Sequence, residues 1–162
     1  MKLFGKTLAV LVCIAFFLGT VPGTVTKAYQ TNTGVLSERE ITVFEDGSYC
    51  ISEIIVRNQF DCQLLGASAK TREATKSNKY YNSSGKLQFT TVVTARFKYD
   101  GTSARAISSN YGYKISNSAW KFLDGESYFS GDSATAVCTF SSSTETRTES
   151  VTITCSPKGV IS

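Results

Sequence analysis

The sequence has no histidine, and this absence excludes several families of catalytic mechanism. A Ser-His-Asp triad and a Cys-His pair both use an imidazole as general base, so neither can be built from this chain. Metal sites with histidine ligands are excluded for the same reason. A Cys-x-x-Cys motif is also missing, so the cysteine spacing indicates neither a redox dithiol nor a zinc ribbon.

Long hydrophobic runs are scarce, and the one that exists lies near the N-terminus. Residues 8–18 are uniformly apolar and follow Lys2 and Lys6, which is typical of a signal peptide. The run is shorter than the roughly 18–20 residues that a membrane-spanning helix needs, which argues against a stable membrane anchor. Small residues at Thr26 and Ala28 predict cleavage after Ala28, with a cut near Gly23 or Thr24 as the alternative. We therefore predict a secreted protein with a signal peptide at 1–28, a flexible lead-in at 29–37 and one domain at 38–162.

The charge of the predicted mature chain is close to neutral. Of 17 basic residues, Lys2, Lys6 and Lys27 leave with the signal peptide, and fourteen then face 13 acidic residues. A net charge near +1 favours neither nucleic acid nor an anionic surface as a partner.

Four cysteines remain after the predicted cleavage, and in an exported chain an even number indicates up to two disulfides. Three connectivities are open. Proximity in sequence favours Cys50–Cys62 and Cys138–Cys155.

The strongest secondary-structure signal covers residues 86–99. Apolar side chains alternate with polar ones over this whole stretch, with Gln88 and Thr90 on the polar side, which predicts a half-buried strand. At about 3.3 Å per residue it would be about 45 Å long, so we expect a bend or a bulge. Asp46-Gly47 predicts a hairpin turn between strands at 40–45 and 48–56. Residues 67–76 are polar enough to predict a long loop, with a short helix as the alternative.

Further short strands follow, at 102–108, 111–115, 119–123, 132–140 and 147–155. Turn signals separate them every 8–14 residues, and no stretch has the 3.6-residue period of a core helix. The predicted fold is therefore all-β: a two-sheet antiparallel β-sandwich, immunoglobulin-like in general architecture. Cys138 and Cys155 each fall on the apolar face of their strand.

Three carboxylates lie close together in sequence, at Asp124, Glu126 and Asp132. Two carboxyl groups at about 5–9 Å can hydrolyse a glycosidic bond, and carboxylate oxygens are also calcium ligands. The favoured interpretation is simpler: Asp124-Gly125 and Gly131-Asp132 are hairpin turns. We accordingly predict no catalytic residue and no cofactor, and keep these three carboxylates as weak calcium candidates.

Aromatic side chains are the better candidates for binding. In a β-sandwich carbohydrate-binding module such rings form a platform on which a sugar stacks. The alternative is packing between the sheets, which is the usual position of a lone tryptophan in a sandwich. The candidate residues are Tyr80, Tyr81, Tyr111, Tyr113 and Trp120.

The second half of the chain resembles a family of small secreted proteins from Gram-positive, largely gut-dwelling bacteria. The resemblance is carried by residues 81–85, 97–104, 118–121, 130–136 and 151–159. It implies a signal peptide followed by a β-sandwich, and it brings no established activity. Relatives commonly have a cysteine where this chain has Arg105, opposite the one matching Cys155. The resemblance thus implies that Cys155 pairs elsewhere, with Cys138 as its natural partner.

Three function classes follow from these observations. The first is a non-catalytic secreted interaction module, whose ligand is a carbohydrate or a surface protein, at the cell wall or on extracellular glycans. The second is an exported toxin, bacteriocin or inhibitor that acts on a protein or membrane partner, and it would present an exposed apolar patch or a long edge strand. The third is a carboxylate-based hydrolase.

Overall fold

Nine β-strands make up the described part of the chain. The computed structural model describes residues 24–30, 36–57 and 69–162, and Cys62 and most of the predicted signal peptide lie outside these ranges. No described helix is long and apolar enough to span a membrane. The strands are β1 (Thr24–Gln30), β2 (Leu36–Val43), β3 (Tyr49–Arg57), β4 (Lys70–Tyr81), β5 (Leu87–Tyr99), β6 (Ala104–Ile115), β7 (Lys121–Ser130), β8 (Ser133–Ser141) and β9 (Thr146–Thr154).

The strands form two antiparallel sheets that pack face to face, which confirms the predicted sandwich. The large sheet has the order β1-β2-β3-β4-β5-β6, and the small sheet has the order β7-β8-β9. Both sheets are meanders, because neighbours in the sheet are neighbours in sequence. This order differs from the Greek-key connections of immunoglobulin domains, so the likeness is one of architecture and not of topology.

The small sheet covers only half of the large one. Its strands pack over β4, β5 and β6, and the chain crosses from one sheet to the other between β6 and β7. The strands β1 and β2 therefore project beyond the small sheet, whereas β3 still contributes Ile54 and Val56 to the main core beside β9. The inner face of β1 and β2 continues the face that carries the core.

Strand β5 runs through the centre of the core, as its alternating pattern predicts. Phe89, Val93 and Phe97 are completely buried on its inner face. The expected bulge is present, because the register with β6 shifts between Arg96 and Phe97. The prediction that Gln88 and Thr90 face solvent is wrong, since they are 4% and 8% exposed.

The core has two parts. The main core joins both sheets around Val93, Phe97, Val151 and Ile153. The aromatic core lies at the other end of the sandwich and contains Tyr80, Phe89, Trp120, Cys138 and Phe140.

The predicted loop over 67–76 is wrong, because residues 70–76 belong to β4. Hydrogen bonds to β3 on one side and β5 on the other stabilise this strand, although only Ala74 and Tyr80 in it are buried. Its polar side chains are compatible with a central strand because one face of the large sheet is open to solvent and the inner face is only partly covered.

Other boundaries also differ from the prediction. The strands expected at 102–108 and 111–115 form the single strand β6. The turn expected at Asp124-Gly125 lies inside β7, next to a register shift against β8. The turns at Asp46-Gly47 and Gly131-Asp132 are confirmed, and Asp100-Gly101 lies in the connection between β5 and β6. The predicted cleavage point after Ala28 falls within β1, and the ends of the predicted lead-in belong to β1 and β2.

The prediction of a Cys138–Cys155 disulfide is wrong, because both cysteines are free in the structure. Both thiols face the core, as predicted. The Cys155 backbone N–H donates to the Asp132 carbonyl at 3.0 Å, which places Cys155 six positions along β8 from Cys138. Six positions correspond to about 20 Å, whereas a disulfide needs Cα atoms within about 7 Å. Cys50 is also a free buried thiol, and its predicted partner Cys62 lies outside the described residues.

Candidate binding surface on strands β6 and β7

Two of the five predicted stacking residues are unavailable for a ligand because they lie in the aromatic core. Tyr80 is 4% exposed and Trp120 is 6% exposed. Their rings meet Phe89 at centroid distances of 5.1 and 4.8 Å. Tyr80 and Trp120 therefore serve packing between the two sheets, which is the alternative to ligand stacking.

Tyr81 lies on the opposite, outer face of the large sheet. Its ring stacks on Tyr49 of the neighbouring strand, with centroids 4.8 Å apart and an interplanar angle of 6°. This pair is half-buried and is separated from the other candidates by the thickness of the sheet.

Tyr111 and Tyr113 are the two candidates that come together on the surface. They are 42% and 47% exposed and share one face of β6. The Tyr113 ring is parallel to Phe122 of β7, with centroids 3.7 Å apart and an interplanar angle of 2°. The Tyr111 ring is also nearly parallel to Phe122, at 6.3 Å and 15°. We call Tyr111, Tyr113 and Phe122 the aromatic strip.

Gly125 makes room for this arrangement. A Cβ atom at Gly125 would lie 2.8 Å from the Tyr111 ring and 3.0 Å from the Phe122 ring. The missing side chain lets the rings pack against the backbone of β7. The backbone of β7 at Gly125 therefore supports the Tyr111 and Phe122 rings in the absence of a ligand.

The sequence pattern missed the contribution of β7. Tyr111 and Tyr113 of β6 are among the predicted stacking residues, whereas Phe122 and the exposed Leu123 and Phe129 of β7 are not. Six of the nine large hydrophobic side chains that are exposed in the described residues belong to β6 and β7. A concentration of apolar residues on two adjoining strands is typical of an interaction surface. The signal was available, since 122–129 has apolar residues on both faces. These six side chains are Ile107, Tyr111, Tyr113, Leu123, Tyr128 and Phe129.

Buried Gln88 anchors the segment that connects β6 to β7. Its backbone carbonyl accepts hydrogen bonds from the N–H groups of Ser116 and Asn117, at 2.9 and 3.0 Å. Its side-chain oxygen accepts from the Asn117 amide at 2.6 Å and from the Trp120 indole N–H at 3.1 Å. One glutamine thus fixes the start of β7, and with it the position of Phe122.

Replacing Gln88 with leucine should lower the free energy of unfolding by about 1–3 kcal/mol, because the Trp120 indole N–H is left buried without a partner. The measurement is urea unfolding followed by circular dichroism. Asn117→Ala is the matched control, since it removes one donor to Gln88 while the indole bond remains. An equal loss in the two variants would contradict the role assigned to the indole bond.

The three candidate carboxylates do not converge. Asp124 and Glu126 are exposed on the outer face of β7, and Asp132 lies in the turn that follows. Glu126 precedes the paired end of β7 at Ser130 by four residues, which separates it from the turn by about 13 Å. Among the described residues, no group of three or more histidine, cysteine or acidic side chains is placed to hold a metal ion.

The three buried thiols are poor nucleophiles because their pKa values are raised. Burial, reinforced by the nearby Glu149 carboxylate, raises the pKa of Cys50 to about 12. Burial also raises the pKa values of Cys138 and Cys155. Because the thiolate is the nucleophile, none of these three residues is activated for reaction at neutral pH.

Cys50 should therefore resist alkylation by iodoacetamide at pH 8 in the folded protein and react fully in 6 M guanidinium. Peptide mass spectrometry measures the modified fraction. Folding keeps the proton on the thiol up to about pH 12, whereas an unfolded thiol loses it near pH 9. Stability should then fall as the pH rises from about 9 towards 12. Rapid alkylation of Cys50 in the native state would contradict its burial.

Comparisons with protein-family models, curated proteins and solved structures find no match to this chain.

Proposed function

We propose that this chain is a secreted, non-catalytic binding module that uses the aromatic strip to stack on the sugar rings of a glycan, at the cell wall or outside the cell. The observation that carries the proposal is the pair of half-exposed tyrosines, Tyr111 and Tyr113, held parallel to Phe122. The proposal includes membership of the resembled Gram-positive family, on the sequence segments described above.

Aromatic rings that are already fixed by packing favour stacking on a sugar. A ring that is already fixed loses little conformational entropy when a ligand stacks on it, so more of the contact energy appears as affinity. Tyr111 and Tyr113 are two positions apart on one strand, which spaces them by about 7 Å. Each also has a hydroxyl group that can donate to or accept from a sugar hydroxyl. The absence of histidine supports binding without catalysis.

The Tyr111→Ala/Tyr113→Ala double variant should weaken binding to the target polysaccharide by at least tenfold. An aromatic contact is worth about 0.5–1.5 kcal/mol beyond its buried area, and tenfold corresponds to about 1.4 kcal/mol. Retention on insoluble cellulose, chitin and purified peptidoglycan gives the measurement.

Tyr128→Ala is the matched control for this experiment. Tyr128 is 53% exposed, but its neighbours on the core face of β7 are Ser127 and Phe129, so it points to the other face of the small sheet. The control should bind as the parent protein does. Equal binding by the parent and the double variant, or no retention on any polysaccharide, would overturn the sugar-stacking role.

A protein partner is the second candidate and corresponds to the toxin or inhibitor class. The observation in its favour is two exposed apolar side chains, Leu123 and Phe129, at 56% and 49%, near the two ends of the strand that also carries Phe122. Leu123→Ala/Phe129→Ala would weaken a protein contact and leave sugar stacking on Tyr111 and Tyr113 unchanged. The two variants together therefore distinguish the two classes.

A further inference from the structure

We propose that the free edge of β9 binds an extended peptide with basic side chains, which joins the small sheet as a fourth strand. The groove involved lies beside β9, over the inner face of β2 and the neighbouring residues Ser52 and Ile54 of β3, and we call it the β9 groove. It is on the flank opposite the aromatic strip, so this second interaction is independent of the proposed function.

The backbone of β9 presents a free row of hydrogen-bonding groups. Strand β9 pairs with β8 on one side and ends the small sheet on the other, within the described residues. The Cys155 N–H donates to Asp132 on the β8 side, whereas the Thr154 N–H donates to Ser162 on the opposite side. Because these directions alternate along a strand, the backbone groups of Thr148, Ser150 and Thr152 also point away from β8.

The first position of an added strand is already occupied by the chain itself. Thr154 and Ser162 exchange two backbone hydrogen bonds, at 2.9 and 3.1 Å, and the adjoining Cys155–Ile161 bridge is antiparallel. This pairing shows the register and the direction in which an antiparallel strand lies along β9. Main-chain pairing of this kind is a common mode of peptide recognition.

The floor of the β9 groove accounts for the preference for basic side chains. Glu38 and Glu40 of β2 pair with Ile54 and Ser52 of β3, so both carboxylates belong to the inner face. They line a cavity of about 160 Å³ whose other lining residues are Arg39, Ser52, Ile54, Lys76 and Ser162. The Arg39 guanidinium is turned towards Glu53, at 3.9 Å. Lys76 belongs to β4, which contacts β9, whereas the two carboxylates belong to β2, two strands farther along the large sheet. Inward side chains of an added strand would reach that side.

Arg147, near the start of β9, closes the end of the groove that lies farthest from Ser162. Its guanidinium donates to Glu149 at 2.5 Å and lies over the rings of Phe44 and Tyr80, at 4.6 and 4.0 Å. This contact connects the edge strand to the β2–β3 hairpin. It holds β9 against Phe44 and Tyr80 at this end of the groove, away from Glu38 and Glu40.

The space suits a single strand and not a second copy of the protein. An added strand needs about 4.8 Å beside β9, and β2 lies one strand farther out than β3, whose Ile54 and Val56 are already buried beside β9. A second copy that paired through its own β9 would bring its large sheet into the projecting strands β1 and β2. The geometry therefore favours a lone extended peptide.

Amide hydrogen exchange measured by NMR tests the proposal. The probe is a synthetic eight-residue peptide of alternating lysine and threonine, with a glutamate–threonine peptide for comparison. The lysine peptide should slow exchange at Thr148, Ser150 and Thr152 by at least tenfold. The amides of Glu149 and Val151, which bond to β8, should be slow before and after addition. The glutamate peptide should have a much smaller effect.

Two variants complete the test. Ser150→Pro removes one edge N–H and should abolish the protection, whereas Ser150→Ala keeps the N–H and should preserve it. Glu38→Gln/Glu40→Gln should weaken lysine-peptide binding and leaves the β9 backbone intact, so it decides the matter if the proline variant does not fold. Three results would overturn the proposal: edge amides protected without peptide, a dimer in light scattering, or no protection at any peptide concentration.

Discussion

Replacing Phe89 with alanine should lower the free energy of unfolding by about 3–5 kcal/mol. Phe89 has no exposed surface, and its ring stacks on Phe140 with centroids 4.1 Å apart. It also contacts Tyr80 and Trp120, so it lies at the centre of the aromatic core. Since a domain of this size is stable by only about 5–15 kcal/mol, the substitution removes a large share of the total.

Guanidinium unfolding followed by far-ultraviolet circular dichroism measures this loss. Fluorescence of the single tryptophan, Trp120, gives a second probe inside the affected core. Phe129→Ala is the matched control, because the same ring is removed from a site that is 49% exposed, and it should cost less than half as much. A loss below 2 kcal/mol at Phe89 would indicate that the two sheets close over the vacated space.

Gly159→Ala should be the second most damaging change, at about 2–4 kcal/mol. Gly159 has a φ of +79°, a conformation that L side chains rarely adopt. A Cβ atom there would also lie 2.5 Å from the Tyr99 ring. That ring is buried in the main core, and Arg72, which donates to the Gly159 carbonyl, lies over its face. The ring therefore cannot move away freely.

Gly131→Ala separates the two contributions. Gly131 has a φ of +57°, but no atom lies within 4 Å of the position of its absent Cβ. This control has the backbone cost alone, about 1–2 kcal/mol. Chemical denaturation of both variants gives the comparison. Equal losses would show that the Tyr99 contact adds nothing to the strain.

The sandwich could be predicted because its evidence is local. Alternation over 86–99 places Phe89, Val93 and Phe97 on one face, and burial of that face follows directly. Strand β4 could not be predicted in this way. Its polar side chains resemble those of a loop, and the reason it is a strand lies in the two neighbours that satisfy its backbone.

The cysteines illustrate a second limit. The period of two correctly predicts that Cys138 and Cys155 face inward, but it does not say how far apart they lie along the strands. That distance depends on the register between β8 and β9, which the turn at 142–145 sets by pairing Ser141 with Thr146. The candidate surface has the same limit, because Phe122 meets Tyr113 only through the packing of two sheets.

The meander order of both sheets has a consequence for how the chain folds. Every strand pairs with its predecessor or its successor, so each sheet can grow by one hairpin at a time. Folding rates rise as contacts become more local in sequence. We therefore expect this chain to fold faster than a Greek-key sandwich of similar length, with the docking of the two preformed sheets through the crossing at 116–120 as the slow step.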